Sequence, residues 1–325
     1  MKFDTIYIEE LLYNSDLTNQ ILKKLAFNHI VLCKNYKEVF NPSNQNFRIQ
    51  KMNPSLIIAQ KKQKLIFRTP EKFTIGYKNN FYFSHMLNCI YDCKYCYLQG
   101  MYSSANLVLF INFDDFKKEI EKIIQKTSGT ICFFSGYECD SLALDKITNF
   151  SNYFINVFKK KSSAFLELRT KSINIKSLLK HETNPNTICA IGLNPDEIIQ
   201  KYELKTASLS NRINAIQILQ NNGWKVGLRF DPLLQVEKYE DIYRNFFKFI
   251  FTSIDSKKLH SITLGDFRMP KNYFQRLKKI NVNESYLFDS VLKNNKSYDL
   301  NAKCIKDFCY EEIMKYCSNE IVFMN

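Results

Sequence analysis

The stretch Cys89-Ile-Tyr-Asp-Cys93-Lys-Tyr-Cys96 constrains this chain more than any other. Three cysteines at gaps of four and three follow an apolar run, Phe81-Tyr-Phe-Ser-His-Met-Leu-Asn. A short loop of this kind lets three sulfurs converge, as needed to hold three corners of a cubane iron–sulfur cluster. A zinc site, or a cluster held by protein alone, needs a fourth ligand. No Cys or His follows Cys96 until Cys132, and His29, His85, His181 and His260 show no partnering pattern. Three thiolates would leave one iron open to a small chelating cofactor. A zinc knuckle or three buried thiols is the alternative reading.

At 325 residues the chain has room for one barrel-sized domain and a smaller one. Lys and Arg number 46 against 32 Asp and Glu, and the resulting +14 suits a polyanionic partner. A solvated lysine-rich surface gives the same count. Ten cysteines would imply disulfides in a small secreted domain. Here the N-terminus, Met-Lys-Phe-Asp-Thr-Ile, lacks the basic and apolar regions of a secretory signal, and no apolar run is long enough to span a bilayer. The expectation is a cytoplasmic protein with reduced thiols, which favours metal binding over disulfides.

The chain reads as three segments. Residues 1–80 form a small α/β unit, with strands at 3–8, 29–33 and 55–59, a helix capped by Asn14 or Ser15 and a helical turn at 36–40. Residues 81–280 alternate strands and helices, the pattern of βα repeats that build a parallel sheet. Strands are expected from Phe81, then at 130–135, 164–171, 187–194, 224–231 and 260–267, most of them apolar as strands covered on both faces should be. Asp114 or Asp115 caps a helix with the stripe Phe116, Ile120, Ile123 and Ile124. Ser208 or Ser210 starts another, with Leu209, Ile213, Ile216 and Leu219 inward and Gly223 as its stop. Six βα units are too few to close an eight-stranded barrel. Residues 281–325 are a less regular extension that can contact substrate, with a basic loop at 293–297. Cys304, Cys309 and Cys317 there lack the compact spacing and fourth ligand of a second cluster.

Cys-x-x-x-Cys-x-x-Cys after a first strand resembles the radical S-adenosylmethionine (SAM) superfamily, in which the methionine part of SAM chelates the open iron. The longer string Cys93-Lys-Tyr-Cys96-Tyr-Leu-Gln-Gly is similar to the spore photoproduct lyase family, DNA-repair enzymes with tyrosines on both sides of the third cysteine and then Leu-Gln. The resemblance implies an α/β fold: an open partial (β/α)6 TIM-like barrel preceded by a small N-terminal α/β domain, with the chemistry at the C-terminal strand ends. It implies a [4Fe-4S] cluster and S-adenosyl-L-methionine as cofactors. Its partners would be DNA containing a thymine-dimer lesion and a low-potential electron donor, a flavodoxin or ferredoxin.

On this resemblance Cys89, Cys93 and Cys96 are the cluster ligands. Glu138 and Ser141 lie in a segment that keeps part of the superfamily's SAM-contacting Gly-Gly-Glu pattern. Cys139 stands where the family carries a cysteine that hands a hydrogen atom to the substrate radical; a thiol S–H is weak enough to donate, a hydroxyl is not. Tyr97 and Tyr95 match the tyrosines that can relay a hydrogen atom back toward deoxyadenosine, and Tyr95 doubles as a cofactor contact. Lys171 closes the third strand, where it would pair with the SAM carboxylate. Gly192 would admit the cofactor against the backbone, Asn194 would reach the ribose and Arg229 would lie near the adenine. Arg268, Lys271 and Tyr273 follow the last strand and offer cations and an aromatic ring to an extrahelical lesion.

Three functions compete. The first is repair of 5-thyminyl-5,6-dihydrothymine in ultraviolet-damaged DNA by hydrogen abstraction and carbon–carbon cleavage. The second keeps the radical SAM core but acts on a peptide or an RNA base. The third is a non-catalytic iron–sulfur redox sensor that binds DNA. The cysteine reading predicts that Cys89→Ala, Cys93→Ala and Cys96→Ala each abolish the brown cluster absorbance and SAM cleavage. A Cys96→Ala protein that still cleaved SAM would refute the ligand set.

Overall fold

The computed structural model of the chain describes residues 1–159, 161–284 and 300–324. One sheet orders its strands Ala26–Cys33, Lys2–Glu9, Leu56–Ala59, Leu107–Phe110 and Met86–Leu87, parallel except for the last pair. The first three are the strands expected within residues 1–80. Ser15 caps the helix Asp16–Leu22 between two of them by accepting from the Thr18 amide.

The remaining two strands come from beyond residue 80. Leu107–Phe110 is Leu-Val-Leu-Phe, buried at every position, and is absent from the sequence-based expectation. Four apolar residues are too few to show a period of either two or 3.6, and the strand's partner lies on the far side of the cysteine loop. The consequence is mechanical. The chain leaves this sheet at Met86–Leu87, runs through Cys89, Cys93 and Cys96, and returns to the same sheet at Leu107–Phe110.

The larger sheet has eight strands in the order Ile66–Arg68, Asn79–Phe83, Ile131–Ser135, Ala164–Thr170, Thr187–Gly192, Lys225–Leu233, Leu259–Asp266 and Val322–Met324. The six in the middle are the expected βα strands, parallel and in sequence order, and the sheet curls into a half-barrel. Two edge strands add to them: Ile66–Arg68, antiparallel, and Val322–Met324, parallel to Leu259–Asp266. Helices cover the convex side, where Phe116 and Ile120 of Phe113–Lys126 and Phe154 and Phe158 of Phe150–Phe158 are all but fully buried. The first of these helices has Asn112 at its N-cap position, with no side-chain cap bond, while Asp114 and Asp115 sit in its first turn and there favour the helix dipole. Ser208 caps Leu209–Asn221, and Gly223 stops it at φ +77°.

The helix Leu300–Met314 packs against Tyr239–Ser253 and the strand Leu259–Asp266, with Cys309 buried beside Ile305 and Ile313. The Cys304 side chain and the basic loop 293–297 lie outside the described residues. No helix among the described residues is long and apolar enough to cross a membrane.

Leu109 has no solvent exposure in the strand that the sequence does not announce. Leu109→Ala should therefore lower the unfolding free energy in urea by about 2–5 kcal/mol. A loss within about 0.5 kcal/mol, as for a surface position, would contradict the strand's place in the core.

Candidate active site

The C-terminal ends of the half-barrel strands open onto a cavity of about 510 Å³. Cys89, Cys93 and Cys96 line it, and so does Cys139. The cysteine loop is tied down by its own sequence. Gln99, the Gln of the Tyr-Leu-Gln string, donates to the Cys93 carbonyl at 2.8 Å and to Asp92 Oδ1 at 3.0 Å. Arg48 closes the other side, donating to both Asp92 oxygens at 3.1–3.2 Å and to Gln99 Oε1 at 2.7 Å. Asp92–Cys93 also pairs, antiparallel, with Glu203–Leu204 from the connection after the strand Thr187–Gly192.

Burial pushes all three thiols up, Cys93 to about 12. Each must lose its proton to ligate iron, so the pocket needs positive charge. Lys51, unremarkable in the sequence, is a nearby cation; burial pulls its ammonium down, and Asp92 and the three thiols push it back up. Only 6% exposed, it reaches from the helix Phe47–Met52 to the Cys89 carbonyl, within electrostatic range of Asp92 and all three thiols. Asp92 is already shared by Arg48 and Lys94, and Lys51 forms no salt bridge among the described residues.

Beside the loop, Glu203 gathers several of the expected cofactor residues. Its carboxylate accepts from Arg212 Nη2 at 2.6 Å, Lys171 Nζ at 2.7 Å, Asn194 Nδ2 at 2.8 Å and the Tyr95 hydroxyl. Burial alone would push this carboxyl up, yet Lys171 and Arg212 hold it well below the usual carboxylate range. Gly192 serves this group: a Cβ there would sit 3.1 Å from Lys171 Cγ, so the glycine makes room for the lysine stem. Lys171, Tyr95 and Gly192 line the cavity, whereas Asn194 lies behind its wall. Arg212 occupies an inward position on the buried face of the helix Leu209–Asn221, a place in the stripe that could have signalled a buried acidic partner.

The Cys139 thiol sits 3.9 Å from His85 Nδ1. His85 is itself buried, stacked on Phe150 with ring centroids 3.7 Å apart, and burial drives its imidazole down to about 3, so the ring is neutral. Burial first, then the charge of Asp140, pushes the Cys139 thiol up and keeps its S–H intact. Asp140 ties this loop to the strand Ala164–Thr170 by accepting from Thr170 Oγ1 at 2.6 Å and the Lys171 amide at 2.7 Å. Gly136 turns the chain at φ +85°, with the Ser141 hydroxyl 2.6 Å from where a Cβ would stand. Ser141 is thereby spent on the turn, bonding Ser135 and the Arg169 amide, and Glu138 turns to Tyr102 and Lys61; neither lines the cavity. Tyr97 does, and it donates to the Tyr137 carbonyl in the Cys139 loop.

Arg229 floors the cavity with its guanidinium engaged by Glu167, at 2.7 and 3.2 Å. Arg268 and Tyr273 line the cavity, Arg268 lying 5.2 Å over the Phe73 ring. Lys271 is exposed at the start of the helix Lys271–Ile280 and does not reach the cavity.

A parallel half-barrel with a three-cysteine loop at the C-terminal ends of its strands is the architecture of the radical SAM class. Over residues 3–310 the chain matches the family model for spore photoproduct lyase. It belongs to the spore photoproduct lyase family. It is 26% identical over 173 residues to the spore photoproduct lyase of Clostridium acetobutylicum, covering 53% of this chain and 52% of that protein. Against the Bacillus subtilis spore photoproduct lyase it is 24% identical over 200 residues, covering 61% of this chain and 58% of that one. By sequence, then, the chain spans a little over half the length of these relatives. A spore photoproduct lyase variant with bound AdoMet and dinucleoside spore photoproduct superposes with a TM-score of 0.80 at 17% identity, over 99% of this chain and 98% of that one. A spore photoproduct lyase complexed with the dinucleoside spore photoproduct gives 0.79 at 18% identity over the same shares. These two likenesses establish the fold.

The family implies a [4Fe-4S] cluster and SAM, and the residues fit them. No three or more His, Cys, Asp and Glu among the described residues gather for a single metal ion. A cubane instead takes each thiolate on its own iron, and three thiols on one cavity wall suit it. Its anionic character matches the buried Lys51. Lys51→Met should therefore weaken iron retention after anaerobic reconstitution and desalting, by about 10-fold, the lower end of what outer-shell partners of metal ligands contribute. Iron and sulfide contents equal to wild type would show that the ammonium has no such part.

Proposed function

We propose that this protein repairs 5-thyminyl-5,6-dihydrothymine in ultraviolet-damaged DNA, restoring two thymines. The observation that carries this reading is Cys139, a thiol kept protonated by burial on the wall of the cavity that Cys89, Cys93 and Cys96 also line. Solved family members carry bound AdoMet and dinucleoside spore photoproduct in the same fold, which supports the lesion as substrate. When bound through Cys89, Cys93 and Cys96, a [4Fe-4S] cluster with SAM supplies the 5′-deoxyadenosyl radical for hydrogen abstraction from the lesion.

This chain's residues then have separate tasks. Lys171, Tyr95 and Gly192 would hold SAM from the cavity wall, Lys171 offering a cation to its carboxylate. Arg229 closes the floor near the adenine, while Asn194, Glu138 and Ser141 position this wall from behind. After the bridging carbon–carbon bond breaks, Cys139 gives its S–H hydrogen to the thymine radical and becomes a thiyl. Tyr97, joined to the Cys139 loop through Tyr137, returns a hydrogen atom to that sulfur and recovers one from deoxyadenosine. Arg268 takes DNA phosphate at the mouth, Tyr273 offers a ring to the extruded base, and Lys271 adds charge outside. The electron comes from a flavodoxin or ferredoxin in the cytoplasm.

The test is anaerobic. Reconstituted protein with SAM, dithionite and a dinucleotide spore photoproduct should yield thymidylyl-thymidine in a SAM-dependent manner. Deoxyadenosine without repair would discard the lesion as substrate. Cys139→Ala should still cleave SAM but divert the thymine radical into adducts, and clean thymine formation by that variant would remove the donor assignment.

A further inference from the structure

One face of the molecule brings solvent within a residue or two of the cysteine loop, away from the cavity. The helix Phe47–Met52 buries Phe47 and Lys51 and turns Ile49 and Met52 outward, 62% and 75% exposed. Positions 49 and 52 are a turn apart and share a face, as do Arg48 and Met52. Arg48 reaches from this face to Asp92, whose cross-strand partner Leu204 is 37% exposed. Lys205, next to Leu204, donates to the Lys51 carbonyl at 3.2 Å, and Lys94 lies 3.7 Å from Asp92. Ile49, Met52 and Leu204 are thus exposed apolar positions on two segments that the Arg48–Asp92 and Lys205–Lys51 bonds tie together, with Lys94 beside Asp92. None of these residues lines the cavity.

We propose that this face docks a small acidic protein that carries single electrons, an inference that rests on the cluster reading above. Cys93 lies directly beneath, because its cross-strand partner Glu203 is the neighbour of Leu204. Electron transfer weakens steeply with distance, so a donor seated here delivers its electron by a short path while the cavity stays free for substrate. The charge fits an acidic partner: Asp92 is already neutralised by Arg48 and Lys94, leaving this face cationic. The few exposed apolar positions suit a brief encounter, since redox complexes bury little surface and a methionine adapts to its partner. Lys205 is held at φ +66°, a conformation rare for a residue with a side chain, and its ammonium stays at this face through the Lys51 carbonyl. A nucleic acid would also be drawn to the cations, but phosphates gain nothing from Ile49, Met52 and Leu204.

The test compares two reductants on the reconstituted protein. Dithionite is small and needs no docking face; flavodoxin, kept reduced by NADPH and its reductase, is the acidic probe. In the Ile49→Glu/Met52→Glu double variant, flavodoxin-driven SAM cleavage should fall by about tenfold or more, with dithionite-driven cleavage unchanged. Flavodoxin binding, followed by its flavin fluorescence, should weaken in parallel, and the wild-type rate should fall as salt is raised. Met52→Glu alone should show the same split to a smaller degree, should the double variant fold poorly. Equal flavodoxin-driven rates and equal binding in wild type and variant would overturn the proposal, as would lost duplex-DNA binding with flavodoxin binding intact. If dithionite yields no SAM cleavage even in wild type, the proposed function fails, and the binding titration still decides the docking face.

Discussion

The Glu203 carboxylate is the interaction on which the site depends. A fully buried charge is tolerated only when its partners repay desolvation, and here two cations, an amide and a phenol converge on it. Those partners come from different parts of the fold. Lys171 follows the strand Ala164–Thr170, Asn194 follows Thr187–Gly192, Arg212 sits on a helix, and Tyr95 stands between Cys93 and Cys96. One ion group therefore sets the cysteine loop against the half-barrel. Breaking it would leave Arg212, with a fully buried side chain, without its carboxylate.

Around that anchor the cavity is electrically divided. On the cysteine-loop side Lys51 and Lys171 oppose, without cancelling, the burial that pushes the three thiols up. On the Cys139 side the nearest ring is a neutral, buried histidine, and the thiol keeps its proton. Cys139 and the three loop cysteines are the same residue type and burial pushes all four thiols up; what differs is their neighbours, Lys51 and Lys171 beside the loop, Asp140 and Glu138 beside Cys139. Tyr97 bridges the two sides by hydrogen bonding from the cysteine loop to the Cys139 loop.

The two-sheet arrangement adds a spatial division. The cysteine loop starts and ends in the N-terminal sheet and is pinned in its middle by Glu203–Leu204. Held from behind, it presents its sulfurs to the cavity and its backbone to the Arg48 and Lys205 face. The cavity and that face are separate, and none of the face residues lines the cavity.

Local chemistry is what the sequence determined. The cysteine spacing, the six apolar strands in their order, the Ser15 and Ser208 caps and the Gly223 stop all act within a few residues, so their signal survives without a fold. Gln99 belongs here as well, since its targets Asp92 and Cys93 lie in the same loop. Only the tertiary structure decided the rest. Leu107–Phe110 is a strand because Leu56–Ala59 pairs with it, and nothing near it in sequence says so. Lys51, His85, Glu203 and Arg212 would by default be read as solvated or undistinguished polar residues, because charge favours water until a partner is supplied. Glu138, Ser141 and Asn194 stand at the expected strand ends, but turn geometry and neighbouring hydrogen bonds face them away from the cavity. A side chain's direction and its partner's identity are properties of three-dimensional proximity, which a linear pattern does not contain.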